Sequence, residues 1–140
     1  MYQFSNRVIW ETEKRGKLRI EGIPDLDIST PPEFRGHEGI HSPEDLFVAS
    51  LNGCTMSTFL TFAEKTRTTF TKFECAAEGT LEKVEGQLKF TKIILRPKVE
   101  VPSEREKKHA LYALKLVDKH CLVTHSMNCV IEMHPEVTVV

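Results

Sequence analysis

The sequence predicts an α+β domain, because two segments with helical signals are separated by runs of strand-forming residues. Residues 43–66 form a long apolar segment with almost no charge in its interior, and residues 104–120 carry apolar side chains at helical spacing. The stretch between them is rich in β-branched and aromatic residues. The chain has 140 residues, no repeat and no convincing linker, so we expect one domain over residues 1–140.

The region before the first helix is expected to form three strands. Residues 3–10 and 16–22 have strand-forming composition and are separated by a turn at residues 13–16. A third, short strand is expected at residues 25–29. Residues 30–42 contain Pro and Gly and are expected to form a loop.

The first helix has clear start signals. Ser42 can cap its first turn, and Pro43 suits the first helical position. Glu44 and Asp45 complement the helix dipole. Apolar residues surround this helix instead of forming one stripe, which is typical of a buried helix. A helix of about six turns is a large apolar element for so short a chain, and we therefore expect a homodimer.

The second half of the chain is expected to contain a hairpin, a helix and a strand. Residues 68–82 and 87–101 favour two long strands that turn near residues 85–86. Ser103 can cap the second helix, and residues 128–134 are expected to form the last strand. The predicted order is therefore three strands, a helix, two strands, a helix and a strand.

Composition argues against several classes of protein. Acidic and basic residues nearly cancel, at 20 against 19, so we expect no nucleic-acid or membrane partner. The N-terminus lacks the apolar core of a signal peptide. We expect no apolar run of membrane-spanning length, since Glu64 and Lys65 end the longest one. We expect a cytoplasmic protein. No glycine-rich phosphate loop and no G-x-S-x-G motif is present, and no cofactor is expected.

The chain has four cysteines, which are expected to be thiols unless some are redox-active: Cys54, Cys75, Cys121 and Cys129. Cys54 and Cys121 are the first candidates for chemistry, because each lies on a helix face expected to pack inward. The simplest alternative is that both are small buried hydrophobic residues. That alternative is stronger for Cys75 and Cys129, which fall in predicted strands.

A reactive Cys54 needs a nearby cation, because an apolar environment raises the pKa of a thiol. Arg15, in the first turn, and Arg35, in the loop before the helix, are the candidates. Glu44 is the carboxylate expected to hold the guanidinium. Glu44 precedes Cys54 by ten residues, or about 15 Å of helix. Two helices crossing antiparallel near Ala49 would bring Glu44 of one chain beside Cys54 of the other.

A late group of residues has the side chains of a metal site: His120, Cys121, His125, Cys129 and His134. No C-x-x-C or H-x-x-x-H pair anchors this group. We expect packed or solvated histidines, with a structural zinc site as the alternative.

Residues 42–54, SPEDLFVASLNGC, resemble the signature of the OsmC/Ohr family of osmotically inducible and organic-hydroperoxide-resistance proteins. The family pattern is P-E-x-L, then small and apolar residues, then a cysteine ten positions after the glutamate. The matching residues are Pro43, Glu44, Leu46 and Cys54. The second family cysteine begins a C-P-[VI]-S-like run, and residues 121–124 (CLVT) occupy that place, with Leu122 instead of proline.

The resemblance implies the order β-β-β-α-β-β-α-β with a long buried central helix, in an intertwined homodimer with active sites at the interface. It also implies a thiol peroxidase in which Cys54 is the peroxidatic and Cys121 the resolving cysteine. Glu44 matches the family's glutamate. The family's arginine lies in the turn after the first strand, where Arg15 stands, with Arg35 as the alternative.

The implied reaction starts with attack of the Cys54 thiolate on a hydroperoxide and ends with a disulfide to Cys121. An external dithiol, in this family often a lipoylated protein, then reduces the disulfide. Apolar walls from residues such as Phe47, Met56 and Phe59 would favour organic over hydrogen peroxide. The alternative function is a non-catalytic dimer of the same fold that binds an apolar small molecule at the subunit interface.

Overall fold

The computed structural model describes every residue from Met1 to Val140. Its backbone forms two compact units, residues 1–47 and 48–140, and each is described by itself. The expected single domain stays a prediction.

The first unit contains a three-stranded antiparallel sheet in the order β1-β2-β3. The strands are β1 (Arg7–Thr12), β2 (Arg15–Ile20) and β3 (Ile23–Ser29). A single 3₁₀ turn, Pro32–Phe34, lies in the loop that follows. The three predicted strands are confirmed, although β1 begins four residues later than residue 3, where we expected it.

Helix α1 (Pro43–Lys65) begins with a reciprocal cap. The Asp45 backbone N–H donates to Ser42 Oγ at 3.0 Å, and the Ser42 backbone N–H donates to Asp45 Oδ2 at 3.1 Å. Two backbone N–H groups at the start of the helix thus have hydrogen-bond acceptors, as in a capping box with Asp in place of Glu. The predicted helix start at Ser42 is confirmed.

Within its own chain, α1 buries only one stripe of side chains. The buried residues are spaced by four positions: Leu51, Thr55, Phe59 and Ala63. On other faces, Met56 is 46% exposed and Leu60 is 42% exposed. A residue every fourth position along a helix stays on one side, so the single chain leaves much of this apolar helix uncovered.

Helix α1 is also long and apolar enough, by length and composition, to cross a membrane. It has 23 residues, and only 22% of its most apolar 18-residue stretch is buried in the single chain. The expectation that no apolar run reaches this length is therefore wrong. Length and composition alone do not separate a spanning helix from a core helix of a globular protein.

The second unit contains a four-stranded sheet. The hairpin of β4 (Lys72–Val84) and β5 (Gln87–Val101) is confirmed. It turns at Glu85 and Gly86, whose φ angles of 50° and 83° suit a tight hairpin. The short strands β6 (Val130–Met133) and β7 (Glu136–Val139) each run parallel to β5.

Helix α2 (Glu104–His120) is confirmed with its Ser103 cap, whereas two later elements were not predicted. Helix α3 (Leu122–Ser126) lies between α2 and the predicted last strand, where the sequence analysis placed no element. Strand β7 follows β6 after Pro135, which has no N–H to donate to the sheet and so interrupts the ladder.

The core of the second unit lies on one face of its sheet. Alternate residues of β5 are buried there, which are Ile93, Leu95, Pro97, Val99 and Val101. Phe59 of α1 stacks on Phe73 with ring centroids 4.8 Å apart, and it meets Phe70 edge-on at 5.2 Å. Buried residues of α2 complete the cluster, which are Ala110, Ala113, Leu114 and Val117. Helices α1 and α2 therefore share one core.

Candidate active site

Two thiols that are 67 positions apart in the sequence lie side by side in the second unit. The Sγ atoms of Cys54 and Cys121 are 3.1 Å apart, and both residues are free thiols. A disulfide has an S–S length of about 2.05 Å. The two sulfurs can therefore bond after a movement of about 1 Å, which side-chain rotation can supply. The disulfide to Cys121 that the family resemblance implies is therefore within reach of the two side chains.

Cys121 reaches this position because it continues the buried face of α2. Its backbone N–H still donates to Val117 O at 2.9 Å, and the residue is only 1% exposed. Its φ and ψ angles of −67° and 115° are extended, so the chain leaves α2 here and enters α3 directly. The sulfur is thus held at a junction of two helices.

The surroundings of Cys121 favour its thiolate. Burial is the largest single influence on its pKa and opposes ionisation. Hydrogen bonds from the Thr124 hydroxyl, the Cys54 thiol and the backbone N–H groups of Thr124 and Val123 outweigh burial, so the pKa of Cys121 is lowered. The Thr124 and Val123 donors come from α3, which the sequence analysis missed. The signal available in the sequence was the hydroxyl residue three positions after the cysteine.

Cys54 is half-buried on α1, two residues after Asn52, whose side chain bonds α1 to the sheet. Asn52 Nδ2 donates to the Cys75 carbonyl oxygen of β4 at 2.8 Å. On the next turn of α1, Thr58 Oγ1 lies 3.7 Å from Cys54 Sγ. Sequence analysis did not single out Thr58, although its spacing of four from Cys54 is the helical signal for a contact.

The other two cysteines have no thiol partner and are poor nucleophiles. Burial raises the pKa of Cys75 to about 11. Burial also raises the pKa of Cys129, although the nearby Lys89 charge partly offsets this effect. Because the thiolate is the reactive form, neither residue competes with the Cys54–Cys121 pair at neutral pH.

Arg15 lies at the start of β2 in the first unit, at the end of a row of charges. The two basic residues that follow it on the same face are neutralised by aspartates of β3, in the pairs Lys17–Asp27 and Arg19–Asp25. The residue opposite Arg15 is Ser29, and Arg15 forms no ion pair. Its guanidinium is therefore the cation of this row that lacks an acidic partner.

Glu44 lies in the first turn of α1, also in the first unit, and one of its carboxylate oxygens is unsatisfied. Its Oε2 atom is buried and accepts no hydrogen bond. Glu44 forms no ion pair with Arg15 in the single chain, so the predicted pairing stays a prediction. Arg35 is exposed and has a left-handed backbone with φ of 67°. The structure thus brings Cys54 and Cys121 together but leaves Arg15 and Glu44 unpaired.

The late His and Cys residues do not converge on one point. His125 Nε2 lies 2.8 Å from the Lys119 carbonyl oxygen, and His134 Nε2 lies 3.2 Å from Glu132 Oε2. No group of three or more His, Cys, Asp or Glu side chains is arranged to hold a metal ion. The structural zinc site considered as an alternative has no geometric basis.

The apolar residues expected to line a substrate pocket differ in their exposure to solvent. Met56 is exposed and lines a shallow groove between α1 and β4, together with Gly53 and Phe73. Phe59 is fully buried in the core, so the expectation that it lines a substrate pocket is wrong. Its position in the buried stripe of α1 points it at the sheet.

The structure is therefore that of a small α+β protein with two free thiols side by side. The sequence model of the OsmC-like protein family matches residues 36–135, which is more than half of the chain. The chain therefore belongs to the OsmC-like family. No curated protein matches the sequence significantly.

Solved structures share the fold over nearly the whole chain. An OsmC-like protein of unknown function from Vibrio cholerae is 24% identical, with a TM-score of 0.88 and coverage of 96% of this chain and 99% of the other. An organic hydroperoxide resistance protein from Legionella pneumophila is 18% identical, with a TM-score of 0.77 and coverage of 99% and 98%. An organic hydroperoxide resistance protein from Elizabethkingia anophelis is 15% identical, with a TM-score of 0.77 and coverage of 100% and 98%. At these identities the similarity shows the shared fold.

Proposed function

We propose that this protein is a thiol peroxidase that reduces organic hydroperoxides, with Cys54 as the peroxidatic and Cys121 as the resolving cysteine. The observation that carries the proposal is the 3.1 Å separation of the two sulfurs. A sulfenic acid formed on one sulfur would have the other thiol within immediate reach. The descriptions of the Legionella and Elizabethkingia proteins as organic hydroperoxide resistance proteins support the same activity.

The proposed reaction has two steps. The Cys54 thiolate attacks the terminal peroxide oxygen, the O–O bond breaks, and the alkoxide leaves as an alcohol after taking a proton, so that Cys54 becomes a sulfenic acid. The Cys121 sulfur then attacks the Cys54 sulfur, water leaves, and a disulfide forms. We propose that an external dithiol such as a lipoylated protein returns two electrons to this disulfide. We propose a cytoplasmic location for this cycle.

Thiol titration tests the proposal, because the protein starts with four free thiols. One equivalent of an organic hydroperoxide is expected to remove two thiols from the wild type. Cys54→Ser is expected to keep its three thiols, and Cys121→Ser is expected to lose one thiol as a sulfenic acid that dimedone traps. Cys75→Ser is the matched control and should still lose two. An unchanged thiol count in the wild type would overturn the proposed function.

We further propose that the active form is a homodimer in which the exposed face of α1 meets a second copy. Small residues, Ala49, Ser50 and Gly53, lie together on α1 and would allow two helices to approach closely. The apolar side chains of Met56 and Leu60 remain exposed nearby. Burial of such a surface by a second copy would supply the covering that one chain of this size lacks.

Substitution of Gly53 isolates this interface from the fold. A Cβ atom at Gly53 would meet nothing within 4 Å in the single chain, and replacing a helical glycine raises helix propensity. Gly53→Leu is therefore expected to keep the fold but to overfill a close helix crossing. We expect its dimer dissociation constant to rise about tenfold or more.

Sedimentation over a range of protein concentrations measures this effect, with Gly53→Ala as the small-residue control. The control is expected to remain dimeric at concentrations at which Gly53→Leu dissociates. A wild-type protein that sediments as a monomer would contradict the dimer. Unchanged dimerisation of Gly53→Leu would contradict a crossing at this position.

The alternative function, binding of an apolar molecule without catalysis, has less support. The groove at Gly53, Met56 and Phe73 has a volume of about 240 Å³. Pockets for drug-sized ligands usually hold about 300–1,000 Å³. This function would also give the close thiol pair no role. The same titration separates the two functions, since a binding protein would keep its thiols.

A further inference from the structure

We propose that Thr58 is a positioning residue of the thiol site, whose hydroxyl donates a hydrogen bond to the Cys54 sulfur. The hydrogen bond favours the thiolate and holds the sulfur beside Cys121. The inference rests on the proposed function in one respect, that the reaction starts from the Cys54 thiolate. The contact itself, 3.7 Å between Thr58 Oγ1 and Cys54 Sγ, is a feature of the fold.

The other threonines of α1 show what a helical threonine ordinarily does. Thr55 Oγ1 donates to the Leu51 carbonyl oxygen at 2.9 Å, and Thr61 Oγ1 donates to the Ser57 carbonyl oxygen at 3.0 Å. Each of these hydroxyls bonds the backbone four residues earlier. Thr58 differs, because its hydroxyl faces the side chain of the residue four positions earlier.

The reason for this difference lies in the carbonyl group of Cys54. That carbonyl accepts the Ser57 hydroxyl at 3.2 Å, in addition to the ordinary hydrogen bond of the helix backbone. Its acceptor positions are thereby occupied. The Thr58 hydroxyl, which is half-buried, has the Cys54 sulfur as its neighbouring acceptor.

The sulfur of Cys54 therefore has a possible donor on each side. Cys121 Sγ lies at 3.1 Å and Thr58 Oγ1 at 3.7 Å. A thiolate carries no proton and can only accept, so the Thr58 hydroxyl donates to Cys54 once that thiol ionises. Hydrogen bonds to the charged form favour that form. The Thr58 hydroxyl keeps this role when Cys121 is itself engaged with its α3 donors.

The test compares the rate of Cys54 alkylation as a function of pH in three variants, with the modified peptide quantified by mass spectrometry. Thr58→Val keeps the branched shape but removes the hydroxyl, Thr58→Ser keeps the hydroxyl, and Thr61→Val removes a hydroxyl that bonds only the backbone. Thr58→Val is expected to shift the rate–pH curve toward higher pH by about 0.5–1 pH unit, because the thiolate loses a hydrogen bond. Thr58→Ser and Thr61→Val are expected to follow the wild type.

Two results would overturn the inference. Superposition of the Thr58→Val and wild-type curves would show that the hydroxyl does not act on Cys54. An equal shift in Thr58→Ser and Thr58→Val would assign the effect to shape and not to the hydroxyl. Thermal unfolding of each variant verifies that the compared proteins are folded.

The outcome is distinct from that of the proposed function. Alkylation requires no hydroperoxide, so a protein that fails to lose thiols to peroxide can still show the Thr58→Val shift. Conversely, loss of two thiols to peroxide with no shift in Thr58→Val would support the peroxidase function and contradict the positioning role of Thr58.

Discussion

Replacing Arg15 with alanine is expected to lower the rate constant of organic hydroperoxide reduction about 10²–10³-fold, the usual loss when a donor to developing charge is removed. Arg35→Ala is expected to leave the rate within about twofold, since most surface substitutions have small effects. The prediction rests on the expectation, drawn from the sequence, that a guanidinium stabilises the Cys54 thiolate. The sequence offered both Arg15 and Arg35 as candidates for this cation. Comparing the two variants decides between them.

The charge pattern of the first unit favours Arg15. Its neighbours in the row have aspartate partners, whereas Arg15 has none, and it is less exposed than Arg35. Glu44 has a buried oxygen that accepts no hydrogen bond in the single chain. A buried carboxylate oxygen without a donor is costly. We therefore expect an arginine to reach Glu44 when the dimer forms, and Arg15 is the cation that has no competing acid.

Hydroperoxide consumption with an excess of a small dithiol reductant measures these rates. Arg19→Ala is the matched control, because it removes an equal charge from the same face but one that Asp25 already pairs. Glu44→Gln is expected to lower the rate in the same direction as Arg15→Ala. A large loss in Arg35→Ala with a normal Arg15→Ala would exchange their roles, and normal rates in both would remove the guanidinium from the mechanism.

The largest loss of stability is expected at Phe59. Phe59→Ala should lower the free energy of unfolding by about 3–5 kcal/mol, the range observed when a buried aromatic ring is replaced by a methyl group. Phe59 is fully buried and packs on both Phe70 and Phe73. These three rings join α1 to the start of β4, so the remaining cavity would lie where the helix meets the sheet.

Urea unfolding at one fixed protein concentration measures the loss, because the stability of a dimer depends on concentration. Tyr112→Ala is the control for an aromatic residue that is 56% exposed, and it should change stability by less than about 0.5 kcal/mol. A loss below about 1 kcal/mol in Phe59→Ala would mean that the site collapses without a cavity, contrary to the close packing seen here.

Local chemistry explains why much of the fold was predictable. The start of α1 follows from Ser42 and the residues after it, and the start of α2 follows from Ser103. The β4–β5 turn follows from Gly86, because glycine readily accepts a positive φ angle. Each of these signals acts over a few residues, and each contributes about the same in any tertiary setting.

The missed elements depend on partners far along the chain. Strand β7 is short and exists because β5 offers it a parallel edge. Helix α3 has five residues, too few to be stable alone, and it forms where Cys121 ends α2. The one-sided burial of α1 likewise depends on how much of the helix a single sheet can cover. The periodicity of a segment does not indicate which distant segments it packs against.

For the candidate site, the sequence by itself determined which two sulfurs stand on inward helix faces and which residues around them match the OsmC pattern. Only the tertiary structure decided that these sulfurs lie 3.1 Å apart and that threonine hydroxyls stand beside them. The physical reason is that propensity and capping act through neighbouring residues, whereas a contact across 67 positions requires both helices to pack on one shared core.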